Sequence, residues 1–177
     1  MDVQSFNVDV AEAVLQDLQA RLERTRWPDE VEDAGWEYGV PLGYLKDMVA
    51  YWRDGFDWRA QEARLNRVHH YRAQVEGFGI HFVHEPGKGP NPLPLLITHG
   101  WPSSFVEMLD LLPLLTDPAS HGGNPVDAFD VVVPSLPGYG FSDRPAHRGT
   151  PGPWHELWAA LMEGLGYERY GMHAGDV

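Results

Sequence analysis

From residue 93 the sequence switches repeatedly between two periods, and this limits the fold more than any other feature. Leu93 to Thr98 is a short apolar run that reads as a buried strand. Ser104, with Glu107 three residues later, has the pattern of a helix cap. That helix is expected through Leu109 and Leu112, with Pro113 kinking or ending it. Val131-Val132-Val133 reads as a second buried strand. Trp154, Leu157, Trp158, Leu161 and Leu165 recur at helical spacing, and Gly166 suits the helix end. Tyr170 to His173 is the last strand candidate. Strand, helix, strand, helix, strand predicts a parallel sheet with covering helices, an α/β fold.

The sequence before residue 67 has a different character. Asp9 and Glu12 fit a capping box, and Val10, Val14, Leu18 and Leu22 recur at helical spacing. Trp27-Pro28 should end that helix. An acidic linker follows, Asp29 to Gly39. Pro41 suits the first turn of a second helix with the stripe Leu45, Met48, Val49 and Trp52. Asp57 is placed to cap a third helix through Ala60 and Leu65. Alternation then begins. Tyr71, Ala73 and Val75, a turn at Gly77-Phe78-Gly79, and Ile80, Phe82 and His84 together predict a β-hairpin. The reading divides the chain into a helical region, 1–66, and an α/β region, 67–177.

Composition bears on function mainly by exclusion. The chain has 43% hydrophobic and 22% charged residues, which is ordinary for a globular protein. Its formal net charge of -13 repels phosphate backbones and anionic membranes, so neither nucleic acid nor a membrane surface is an expected partner. There are no cysteines, which excludes thiolate chemistry and disulfides. No signal peptide or spanning run is visible, and a cytoplasmic protein is the expectation. His69 and His70 should point apart on a strand, and His81 and His84 lie on opposite faces, so no metal site is expected. The glycines at 138 and 140 lack the Lys-Ser/Thr of a phosphate loop, so nucleotide binding is not supported.

Three segments follow the predicted parallel strands, where open α/β sheets bind ligands. They are His99-Gly100-Trp101-Pro102, Pro137-Gly138-Tyr139-Gly140-Phe141-Ser142, and Gly175-Asp176-Val177. Taken alone, Gly-Asp-Val is common enough to be a tail. His99 alone reads as a strand-end histidine bonded to backbone. Asp143 and Arg144 read as solvated loop pairs.

Together these motifs resemble the epoxide hydrolases of the α/β-hydrolase fold. The resemblance is strongest to the microsomal and juvenile-hormone subgroup, which carries an N-terminal helical extension. Ala174-Gly175-Asp176 stands where that family usually has Gly-Gly-Asp. Trp27-Pro28, Trp36-Glu37-Tyr38-Gly39, Tyr51-Trp52 and Phe56-Asp57-Trp58 resemble the extension. The resemblance implies the N-terminal portion of that fold: a mostly parallel sheet, its first five strands, preceded by the extension. It implies Asp176 as nucleophile and the backbone N–H groups of Trp101 and Val177 as oxyanion donors. His99, Gly100, Pro102 and Gly175 would support them, with a cis bond before Pro102. The Trp101 ring would line the substrate pocket, and no cofactor is implied. The family often has Trp where this chain has Val177; an amide donor survives that change.

The same resemblance places the catalytic histidine, its acidic partner and two epoxide-binding tyrosines after residue 177. His173, three residues before Asp176 on one strand, has the wrong geometry for the base. Residues 1–177 expressed alone are therefore expected to release little diol. Two rival readings stay open. One is a haloalkane dehalogenase-like use of the aspartate, against which the helical extension argues. The other is a non-catalytic fragment that pairs with a separate C-terminal half.

Overall fold

The structure is a computed structural model and describes residues 1–145 and 153–176. Residues form two compact units, Val8–Arg64 and Met1–Asn7 with Leu65–Val177.

The second unit is built on a six-stranded sheet. Its strands are β1 (Val3–Phe6), β2 (His70–Val75), β3 (Phe78–Glu85), β4 (Leu93–Thr98), β5 (Phe129–Pro134) and β6 (Gly171–Ala174), in the spatial order β1-β2-β3-β5-β4-β6. The sheet is mixed: β1, β2, β3 and β5 pair antiparallel in sequence, whereas β4 runs parallel to both β5 and β6. The α/β assignment stands, but parallel pairing is confined to the half of the sheet that the alternating elements build. The sixth strand comes from Val3–Phe6, too short to show a period, and it brings the first seven residues into this unit.

Helix α5 (Trp154–Gly164) buries Leu157, Trp158, Leu161 and Met162 against Ile80, Phe82, Leu96 and Val132. This stripe is core, as its spacing predicts. Gly166 follows at φ +92, the left-handed conformation that ends helices cheaply only at glycine. The helix expected after Ser104 is different. Ser104 Oγ does accept from the Val106 N–H, but what it caps is a 3-10 turn, Phe105–Met108. Pro113 then lies in the first turn of a separate short helix, α4 (Leu112–Thr116), where its missing N–H is no loss.

The hairpin turn also differs from expectation. Gly79 is in β3, and the turn is Glu76-Gly77 with both residues at positive φ, +48 and +82. Two-residue turns of that hand favour Asn-Gly, because Asn tolerates the left-handed region better than Glu. Glu76→Asn is expected to stabilise the protein by about 0.5–1 kcal/mol, seen as a melting-temperature rise of roughly 1–4 °C.

The unit Val8–Arg64 holds α1 (Glu12–Glu23) and α2 (Leu42–Asp54), with α3 (Trp58–Leu65) at its end. The expected capping box does not form. Ala11 precedes α1 without a side-chain cap. The Val10 N–H donates instead to Glu62 Oε1 (2.7 Å), a carboxylate 52 residues away, and Glu12 pairs with Arg59 (3.1 Å). Glu62 also accepts from Trp58 Nε1 (3.1 Å) and Arg59 Nη1 (2.7 Å). These bonds hold its pKa below the usual carboxylate range, the Val10 N–H most of all. Asp57 does cap α3, accepting from the Ala60 N–H (3.0 Å). The buried side of α1 is Leu15, Leu18 and Leu22, while Val14 is exposed. The α2 stripe of Leu45, Met48, Val49 and Trp52 lines an open cleft of about 1020 Å³ rather than a closed core. No helix among the described residues is long and apolar enough to cross a membrane.

Candidate active site

Strands β5, β4 and β6 lie side by side and parallel, so the segments that leave them emerge at one edge of the sheet. This brings the His99, Pro137 and Asp176 segments together. β6 ends at Ala174, and Asp176 takes φ +96 two residues later. A non-glycine residue there is strained by on the order of 1–3 kcal/mol, and such strain concentrates at functional turns. A sharp strand-ending turn of this kind presents its side chain at the sheet's edge.

Asp176 Oδ2 accepts a hydrogen bond from the Trp101 N–H at 2.5 Å. The direction of that N–H is fixed from behind. The Gly100 carbonyl and the Trp101 N–H belong to one planar peptide unit, so orienting one orients the other. The carbonyl accepts from the Ser103 N–H (2.9 Å) and from His99 Nδ1 (3.1 Å). His99 is buried, and its Nε2 accepts from the Leu136 N–H (3.2 Å). These partners require the neutral Nδ1–H tautomer. Burial pushes the His99 pKa down, against a smaller opposing effect of the Gly100 bond. A buried neutral imidazole with both nitrogens on backbone groups is a strut.

Gly100 is required for a spatial reason: a Cβ there would fall on the Cβ and carboxylate of Asp176. The Trp101–Pro102 peptide bond is cis. Trp101 is 74% exposed among the described residues. Gly175 has open space around its Cα. Val177, expected as the second amide donor, lies outside the described residues. The 137–142 segment packs as a turn: Gly138 N–H donates to the Asp143 carbonyl (2.9 Å), and Tyr139 sets its ring 5.5 Å from His99. Asp143 is a more specific partner than a solvated loop pair implies, accepting from the Gly79 N–H (2.9 Å) and Arg72 Nη2 (2.6 Å).

One buried constellation escaped the sequence reading. His70 Nε2 donates to the Leu65 carbonyl (2.8 Å), His70 Nδ1 meets His81 Nε2 (2.9 Å), and His81 Nδ1 meets Ser135 Oγ (2.8 Å). His81 and Ser135 are wholly buried. Phe6, Phe105 and Phe141 surround the His81 ring at centroid distances of 5.2, 4.9 and 5.3 Å. Burial drives the His81 pKa down to about 3, with His70 adding to the effect. His70 is lowered too, chiefly by burial. The sequence singled out His69-His70 and His81 with His84 as pairs to be weighed as metal ligands, and neither pair identified the partner that His70 and His81 make of each other.

Residues 3–108 match the family described as "Epoxide hydrolase N terminus". The chain is 49% identical over 176 residues to a Stigmatella aurantiaca protein assigned as an epoxide hydrolase, covering 97% of this chain and 39% of that one. It is 37% identical over 179 residues to Epoxide hydrolase 1 of Sus scrofa, covering 98% and 39%. The crystal structure of juvenile hormone epoxide hydrolase from the silkworm Bombyx mori superposes with a TM-score of 0.88 at 29% identity, covering 99% of this chain and 42% of that one. The chain thus spans about two fifths of the length of the relatives it matches. The family match covers more than half of the chain, the fold is shared over nearly all of it, and the chain belongs to the epoxide hydrolase family.

Proposed function

We propose that this chain supplies the nucleophile and an oxyanion donor of an enzyme that adds water to an epoxide to give a vicinal diol. The observation that carries the reading is the 2.5 Å bond from the Trp101 N–H to Asp176 Oδ2. A carboxylate is a weak nucleophile, but an epoxide is strained and electrophilic. With Oδ2 turned to the amide, the carboxylate attacks a ring carbon through its other oxygen. A C–O bond forms, the ring C–O bond breaks, and the alkoxide takes a proton from an acid. In the family resemblance that acid is a pair of tyrosines beyond residue 177. The product is an ester whose carbonyl oxygen is Oδ2.

Water then attacks the ester carbonyl carbon and gives its proton to a base, by resemblance a histidine beyond residue 177. Charge collects on Oδ2, where the Trp101 N–H already stands. Donors placed before charge develops stabilise it without reorganisation, typically by about 3–4 kcal/mol each. Collapse of the tetrahedral intermediate releases the diol and restores the carboxylate. We assign Val177 N–H as the second donor by the same resemblance. Either the continuing chain or a separate C-terminal half supplies the base and acid. The substrate class is a small apolar epoxide.

Isotope placement tests this route. In a single turnover in H2(18)O this chain joined to a C-terminal part that supplies the base and acid, called the full-length protein below, is expected to put label into the Asp176 carboxylate, not the diol. Label in the diol alone would mean direct attack of water on the epoxide and would end the Asp176 proposal. Gly100→Ala tests the packing of the site. The added methyl displaces the carboxylate from the amide, and a misplacement near 1 Å is expected to lower kcat about 100-fold. Steady-state diol release by the full-length variant measures it.

A further inference from the structure

The histidine chain behind the site has no part in the steps above, yet it ends where the oxyanion turn is held. Ser135 Oγ–H donates to His81 Nδ1, given that His81 Nε2–H donates to His70 Nδ1 and His70 Nε2–H to the Leu65 carbonyl. Every imidazole nitrogen in the chain is thus assigned one role, in one direction. The backbone is tied at the same place: the Ser135 N–H donates to the His81 carbonyl (2.8 Å), the His81 N–H to Ser142 Oγ (3.0 Å), and Ser142 Oγ–H to the Ser135 carbonyl (2.8 Å). The residue after Ser135 is Leu136, whose N–H holds His99, whose Nδ1–H holds the Gly100 carbonyl. That carbonyl and the Trp101 N–H are one rigid peptide. The other flank of the turn is reached as well, because Phe105 packs edge-on against both His70 (5.6 Å) and His81 (4.9 Å).

We propose that His81 and Ser135 are positioning residues for the oxyanion turn: they fix the end of β5, and through Leu136 and His99 set where the Trp101 N–H points. This rests on the epoxide hydrolase reading above. It predicts a selective defect. The Trp101 amide bonds Oδ2 before and after ester formation, but the charge on Oδ2 grows only when water attacks the ester. A turn that has lost its aim should therefore slow ester hydrolysis more than ester formation.

The test uses the full-length protein carrying Ser135→Ala, with rapid-quench mass spectrometry following the Asp176 ester. Ester hydrolysis is expected to fall on the order of tenfold and ester formation less than about threefold, so the ester accumulates. Ser135→Cys keeps a weaker donor and should fall between. Tyr167→Phe is the control. Its hydroxyl donates to Asp130 Oδ2 (3.2 Å) and meets His84 Nε2 (3.0 Å), at the start of β5 and so at the far end of that strand. It should lower the melting temperature and leave the ratio of the two steps unchanged. An unchanged ratio in Ser135→Ala, with ester forming normally, overturns the proposal. If the unsubstituted protein forms no ester, the enzymatic reading is what fails. The Trp101 amide resonance then decides the positioning: Ser135→Ala must move it and Tyr167→Phe must not.

Discussion

Asp176→Asn is expected to abolish diol formation in the full-length protein, lowering kcat/KM by roughly 10⁴–10⁶-fold. The substitution is chosen so that little else changes. The Asn side-chain oxygen can still accept from the Trp101 N–H, in place of the 2.5 Å bond to Oδ2. Asn also tolerates the positive φ that this position requires, +96. What is lost is the anionic oxygen that attacks the ring carbon, and with it the covalent intermediate. Melting temperature should stay close to that of the unsubstituted protein, and no ester should be found by mass spectrometry. A variant that stays folded and keeps diol release within about tenfold would remove Asp176 from the reaction.

The second large effect is acid lability. Four buried or half-buried histidines, His70, His81, His84 and His99, have pKa values pushed below the usual imidazole range, in each case chiefly by burial. The largest displacement is at His81, down to about 3. Between that value and the unfolded value near 6.5 the unfolded chain binds the proton and the folded chain does not. Stability from this source is therefore fully present above about pH 6.5 and falls as pH drops. At about 1.4 kcal/mol per pH unit, His81 alone removes on the order of 3 kcal/mol between pH 6.5 and 4.5. The groups that face it are the His70 ring, Ser135 and three phenylalanines; Arg72, also nearby, disfavours its charge. Urea midpoints measured from pH 7.5 to 4.5 should fall steeply. His81→Gln should start lower at pH 7.5 and lose less on acidification. Equal pH slopes for the two proteins would mean that His81 is not the group responsible.

Both effects depend on residues that the sequence revealed to different degrees. The meeting of Asp176 with Trp101 was legible because the motifs His99 to Pro102 and Pro137 to Ser142 follow strands in the order that an α/β sheet brings together. The pairing of His70 with His81 was not legible, and the reason is register. A turn at Gly77-Phe78-Gly79 would set Glu76 opposite Ile80. The observed turn sets Ala73 opposite Ile80, with His70 opposite Val83 and Arg72 opposite His81. The two registers differ by an odd number of residues, which exchanges the faces of one strand relative to the other. Only the observed register puts both imidazoles on one buried face. The deciding residues are Glu76 and Gly77 at positive φ, and a Glu in that position gives no local warning.

The helical region shows the same limit. Its periods located α1 and α2, but local spacing assigned the cap of α1 to Asp9 and Glu12. The Val10 N–H goes to Glu62 because α3 brings that carboxylate to it, 52 residues along the chain. Sequence alone therefore determined the α/β class, the helical region before it and the family, since each rests on local period or on motif order. Tertiary structure decided the aim of the Trp101 amide, the strained turn at Asp176 and the neutral histidine chain behind them. Those depend on strand register and on peptide planes held by groups distant in sequence, which no local pattern encodes.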